Sequence, residues 1–139
     1  MIVERGKTAH LRFDPIENIV YYTFPNVVLD TREQIVEHFD WCLSFLKRNC
    51  AGQKVYCIVN LDGIHVNARH TSLFASRLLQ MLPFVVTIVR YGGSALQRTA
   101  SRVANMKLHT PSHIYASHEK ALAVVRALKS GEMTIEQPR

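Results

Sequence analysis

The sequence is short of cysteine, of long apolar runs and, through its middle third, of acidic residues. Its three cysteines, Cys42, Cys50 and Cys57, are odd in number and include no C-x-x-C pair. That argues against a disulfide framework. Cys42 falls on the apolar face of a predicted helix and Cys57 inside a predicted strand, where both read as small buried hydrophobes, while Cys50 is expected in an exposed loop. The longest apolar stretch, Phe84 to Val89, is broken by Thr87. It is far below the ~18 to 20 residues that cross a bilayer, so no membrane span is expected. Met1-Ile2-Val3-Glu4 carries an acid where a signal peptide would carry positive charge, and no apolar segment follows, so the chain is read as cytoplasmic. Between residues 60 and 110, Asp62 is the one acid set against Arg69, Arg77, Arg90, Arg98, Arg102 and Lys107, and this segment supplies +5 of the net charge of +6. Such an imbalance suggests an anionic ligand or an acidic partner; a solvated basic face is the other reading.

What is present is the composition of a folded domain. The chain has 139 residues, 47 % hydrophobic and 20 % charged, enough for one core and too apolar to stay disordered. His10 to Phe13 and Ile19 to Phe24 alternate or are rich in β-branched and aromatic residues, with a turn from Asp14-Pro15 to Asn18 between them, and read as an antiparallel hairpin. Asp30 is placed as N-cap of a first helix, Thr31 to Arg48, with Glu33 completing a capping box and Trp41 off the main apolar stripe. An exposed Trp41 could mark a homodimer face, or it could cover the margin of the core. Val55 to Leu61 is an apolar run suited to a strand covered on both faces. Asn67 caps a second helix to about Leu82, stopped by Pro83. Phe84 to Tyr91 is the next strand, Gly92-Gly93-Ser94 a turn and cap, and Ser94 to about Leu108 a third helix. His113 to Ala116 and a Ser117-capped helix ending at Ser130-Gly131 close the domain. The order predicts an α/β domain, ββαβαβαβα, over residues 1–131, with a mixed, mostly parallel sheet flanked by four helices, and a flexible tail over 132–139.

Right-handed crossovers would bring the strand-to-helix joints to the carboxyl edge of the sheet. That edge should gather Asn60, Asp62, Gly63, His65, Arg69, His70, Tyr91, Gly92, Gly93, Ser94 and His118, the candidate ligand- or partner-binding set. Arg69 and His70 sit in the first turn of the second helix, against the helix dipole, and with free amides there they could form an anion pocket. Asp62 could equally neutralise Arg69. Gly92-Gly93-Ser94 could accept a phosphate but matches neither dinucleotide nor P-loop patterns; a tight turn with a serine cap is the simpler reading. The seven histidines lack metal-ligand spacing: His65 and His70 are five apart, and Pro111 interrupts His109 to His113. No metal or cofactor is expected. Ser94 with His118 or His65 and Asp62 could be assembled as a nucleophilic site, giving a small hydrolase or transferase, although no G-x-S-x-G elbow is present. Arg98, Arg102 and Lys107 on the third helix could track a nucleic-acid backbone, without interleaved aromatics or a recognised motif to support it.

At Lys54 to His70, K-V-Y-C-I-V-N-L-D-G-I-H-V-N-A-R-H, the chain resembles the STAS superfamily, in particular its SpoIIAA-like branch. The resemblance extends to the order of elements and to Ala116-Ser117-His118-Glu119-Lys120-Ala121 leading into the closing helix. It implies a small non-catalytic module that binds a partner protein or a small anionic or lipid-like ligand at the edge holding the second helix. Anti-sigma-factor antagonists of that superfamily are switched by phosphorylation of a Ser or Thr at the start of this helix. Here Ala68-Arg69-His70 stands in that place with no hydroxyl, and Thr71 and Ser72 follow as the possible phosphoacceptors.

Overall fold

A computed structural model describes residues 1–50, 52–108 and 114–133 of the chain. The elements in order are β1 (Ile2–Arg5), β2 (His10–Asp14), β3 (Ile19–Thr23), β4 (Val27–Leu29), α1 (Arg32–Asn49), β5 (Val55–Asn60), β6 (Ile64–Val66), α2 (Thr71–Met81), β7 (Val85–Tyr91), α3 (Ala95–Leu108), β8 (Ile114–Tyr115) and α4 (His118–Ser130). Short 3-10 turns, Ala68–His70 and Leu82–Phe84, bracket α2, and Pro83 lies in the second of them.

The protein is a single α/β domain with a mixed six-stranded sheet, ordered β1-β2-β3-β5-β7-β8, and a separate ladder of β4 with β6. β1, β2 and β3 run antiparallel; β3, β5, β7 and β8 run parallel. The hairpin of β2 and β3 is the one expected. Its turn is set by Asp14, whose carboxylate accepts the amides of Ile16 and Glu17, and by Asn18 at φ 60. Strands β1, β4 and β6 were not legible as strands: β1 is a largely exposed edge, and the other two have three residues each.

The parallel strands advance in one direction across the sheet without reversing. Each right-handed crossover therefore lays its helix on the same face, so α1, α2 and α3 share one side and α4, which follows the last strand, takes the other. The main core lies under α1 and α2, where Leu11, Val20, Ile35, Phe45, Leu46 and Val55 are fully or almost fully buried. A smaller core of Ile19, Ile58 and Val89 packs on Ala121 and Val125 of α4.

Helix starts follow their side chains. α1 is capped by Thr31, one residue later than expected: Thr31 Oγ1 accepts the Gln34 amide at 3.2 Å, and Gln34 Oε1 accepts the Thr31 amide at 2.9 Å, so Gln34 rather than Glu33 closes the capping box. Asp30 is drawn elsewhere, accepting from Asn67 Nδ2 at 2.6 Å. Ser117 caps α4 as expected, and Gly131 ends it in the left-handed conformation. One further expectation is corrected: Cys50 is buried at the end of α1, its thiol pushed up by burial. Of the two readings of Trp41, the structure agrees with the core margin: it is half-buried against the core, its ring so close to Gly6 that a Cβ there would fall 2.8 Å from it. The tail residues 134–139, with His109 and His113, lie outside the described residues.

Candidate functional site: a cavity between the sheet and its helices

A cavity of about 650 Å³ separates the sheet from α2 and α3. Its floor is the helix-covered face of three parallel strands. Strand alternation brings Tyr22 of β3, Val59 of β5 and Arg90 of β7 into one cross-strand row, with Cys57 and Ile88 in the next. Its roof is largely apolar, with Phe74 and Leu78 of α2 and Leu96, Ala100 and Val103 of α3, beside Gln97, Thr99 and Ser101. β6 and the residues after it supply the wall at the carboxyl end, through Ile64, His65, Asn67 and Thr71. That volume and lining are those of a small-molecule site.

The polar groups on this floor are sparsely partnered. Arg90 is 6 % exposed, and its described hydrogen bond, from Nη1 to the Ile88 carbonyl, is long at 3.4 Å. Burial lowers its pKa to about 10, because the guanidinium has left water for apolar surroundings and no carboxylate among the described residues pairs with it. The Tyr22 hydroxyl is buried with no nitrogen or oxygen partner, only the Cys57 thiol beside it, and desolvation raises its pKa well above the usual range. Burial likewise raises the Cys57 thiol and pushes Cys42 up to about 12, so neither is a nucleophile at neutral pH.

His38 of α1 completes this interior. Its Nδ1 lies 2.7 Å from Thr8 Oγ1, its Nε2 lies 3.8 Å from Cys42 Sγ, and its ring packs among Phe24 and Phe39. Burial lowers its pKa from 6.5 to about 4. The folded chain therefore keeps His38 neutral where the unfolded chain takes up a proton, so its contribution is fully present above pH 6.5 and is lost as pH falls towards 4. At pH 5 the loss is about 2 kcal/mol relative to pH 8. Urea unfolding at the two pH values checks this, and His38→Gln should remove that part of the slope.

The residues expected at the carboxyl edge do not form one site. His65 and Thr71 line the cavity. Tyr91 faces the other side of the sheet, where its ring meets His118 at 5.5 Å between centroids, and His118 also stacks on Tyr21. Asn60, Asp62, Gly92 and Gly93 are spent on one another. Asn60 Oδ1 accepts the Asp62 amide at 2.9 Å, and Asp62 Oδ1 accepts the Gly93 amide at 2.8 Å, latching the β5 loop to the β7 loop. Gly93, at φ 81 with Leu61 Cβ only 2.8 Å from where its own Cβ would be, makes that approach possible. Gly63 turns the chain into β6. Ser94 caps α3 in a reciprocal pair with Gln97, accepting its amide at 3.2 Å and donating its own amide to Gln97 Oε1 at 2.6 Å. The Gly92-Gly93-Ser94 turn thus has two amides already engaged.

At the start of the second helix, Asn67 Oδ1 accepts the Arg69 amide at 2.9 Å and the Asn67 carbonyl accepts that of His70, so these amides too are taken. The side chain of Arg69 is exposed, and Thr71 Oγ1 donates to the Ala68 carbonyl at 2.8 Å. Ser72 is exposed on α2. The basic middle segment is dispersed: Arg90 is interior, Arg77 lies 3.8 Å from Asp40, and Arg98 donates to the Gly93 carbonyl.

Tyr22 and His38 stand outside the sequence-derived candidates, and Arg90 enters them only as one charge of the basic middle segment. Its signal was available: in Val85 to Tyr91, an arginine two residues after Ile88 shares that residue's face. Among the described residues no group of three or more His, Cys, Asp or Glu is placed to hold a metal, and no helix is long and apolar enough to cross a membrane. Comparison with protein-family models, curated proteins and solved structures finds no match to this chain.

Proposed function

We propose that the chain is a non-catalytic, STAS-like binding module that takes a small anionic or lipid-like ligand into the cavity beside its second helix. The observation that carries this is the cavity itself: about 650 Å³ of largely apolar space within the fold, with a buried guanidinium on its floor. A domain that needed only stability would fill such a space, since interiors pack to crystal-like density and voids cost stability. The element order, hairpin first and then repeated β-α units closing on α4, supports the STAS-like assignment.

A hydrolytic role for Ser94 has less behind it. Its hydroxyl is committed to Gln97, His118 lies on the opposite face of the sheet among Tyr21 and Tyr91, and Asp62 is held by the Gly93 amide. Nucleic-acid binding through α3 would need a basic face, whereas Leu96, Ala100 and Val103 turn towards the cavity and Arg98 bonds the preceding loop.

Native mass spectrometry on gently purified chain tests the reading. The expected result is a stoichiometric small-molecule adduct that is released on denaturation. A bare chain, unchanged in mass and in melting temperature after incubation with a panel of amphiphiles, would count against a cavity ligand and shift weight to a protein partner at the same edge.

A further inference from the structure

The floor of the cavity carries one positive charge. Arg90 has five N–H donors, and the single described hydrogen bond among them is the 3.4 Å contact with Ile88. Two strands away in the same row, the Tyr22 hydroxyl is buried with no nitrogen or oxygen partner, only the Cys57 thiol beside it. Adjacent strands lie ~4.8 Å apart, so the two backbones are ~10 Å apart with Val59 between them. Two long side chains thus rise from one face on either side of Val59, each carrying a donor. A buried guanidinium is tolerated when an anion meets its fork, and a carboxylate matches that fork with two parallel hydrogen bonds while leaving a lone pair for a phenol.

The charge balance narrows the anion. His38 is neutral above about pH 4, so it adds no second cation. A dianionic phosphate monoester would leave excess negative charge in a largely apolar cavity whose lining already includes the Asp30 carboxylate, held by Asn67, while a single carboxylate at the floor balances Arg90. The cavity reaches solvent beside Val28, Leu96 and Val103, which line it and are 54 %, 63 % and 40 % exposed. The polar group is therefore deep and the greasy residues are at the rim.

We propose that the ligand is a monocarboxylic acid with an aliphatic body, bound carboxylate first, its head group held by Arg90 and Tyr22 and its tail running out past Val28, Leu96 and Val103. This rests on the cavity being a ligand site. It goes further in naming the head group, its charge and its direction.

Isothermal titration of the delipidated full chain with dodecanoate, dodecan-1-ol and dodecyl phosphate, each below its micelle concentration, tests it. Dodecanoate should bind at least tenfold more tightly than the alcohol and more tightly than the phosphate, and lengthening decanoate towards dodecanoate should raise affinity by about fourfold per methylene. Arg90→Met should lose the preference for acid over alcohol while still binding the alcohol. Tyr22→Phe, which keeps the ring, should weaken dodecanoate severalfold and leave the alcohol unchanged. Equal affinity of the parent for acid and alcohol would overturn the carboxylate assignment and leave the cavity reading standing. A preference for dodecyl phosphate would overturn the single-charge argument in the same way. No binding of any of the three would overturn both the assignment and the ligand-site reading on which it rests.

Discussion

Arg90→Met should make the ligand-free chain more stable than the parent, by about 3 kcal/mol at neutral pH. Burial lowers the pKa of this arginine to about 10, because the folded chain disfavours its charge. A basic group whose pKa falls on folding destabilises the native state wherever it is charged, here at every pH below about 10, and the penalty fades only above that value. Methionine is unbranched and apolar, fills much the same space and needs no partner. Urea denaturation of the stripped proteins gives the comparison. A variant less stable than the parent would show that the guanidinium is already compensated, and the case for an absent anion would weaken. A residue whose removal improves the fold is a residue kept for something else, the usual signature of a site that trades stability for binding.

Gly63→Ala should act in the opposite direction and by more, a loss on the order of 4 kcal/mol. Gly63 has φ +83, and a Cβ built on it would lie 2.4 Å from the Phe24 carbonyl oxygen and 3.2 Å from the Asn26 nitrogen. Both neighbours are backbone and cannot swing away. Relief would require β4 and β6 to part, breaking the 2.6 Å hydrogen bond from the Val27 amide to the Gly63 carbonyl and the short ladder beyond it. Because Val28, Ile64, His65 and Val66 of those strands line the cavity, the variant should also lose ligand affinity. Thermal unfolding with a parallel dodecanoate titration would check both. A melting temperature within a degree or two of the parent would mean that this turn is softer than its geometry implies.

The larger elements were legible because their signals are local. α1 declares itself by apolar residues at Ile35, Phe39, Cys42 and Leu46, and β5 and β7 by short apolar runs between turn residues. The start of α1 was misplaced by one residue because Asp30 and Thr31 are both good caps, and Glu33 and Gln34 stand three residues after each. The choice is made by Asn67, which takes the Asp30 carboxylate from 37 positions away. β4 and β6 escape for the same reason: three residues make no periodic pattern, and each is a strand only because the other lies beside it.

The candidate site was less legible than the fold. The carboxyl-edge rule gathers residues where parallel strands reverse direction across a sheet, and this sheet does not reverse. The loops at its edge close on one another through Asn60, Asp62 and Gly93, and the space lies a layer deeper, where His65 and Thr71 reach it and Tyr91 and Ser94 do not. Arg90 was hidden by its chemical type. Counted among charges it belongs to the surface; placed on the alternation of β7 it belongs to the floor.

The one-way order of the strands has a mechanical consequence. Ile19, Ile58 and Val89 are pinned from behind by Ala121 and Val125, a dry contact that owes nothing to the other side of the sheet. The cavity lies on one face of the sheet and stiffness is supplied from the opposite one. The sheet can serve as a fixed floor, keeping Tyr22, Val59 and Arg90 in register, whether the room above them is vacant or filled.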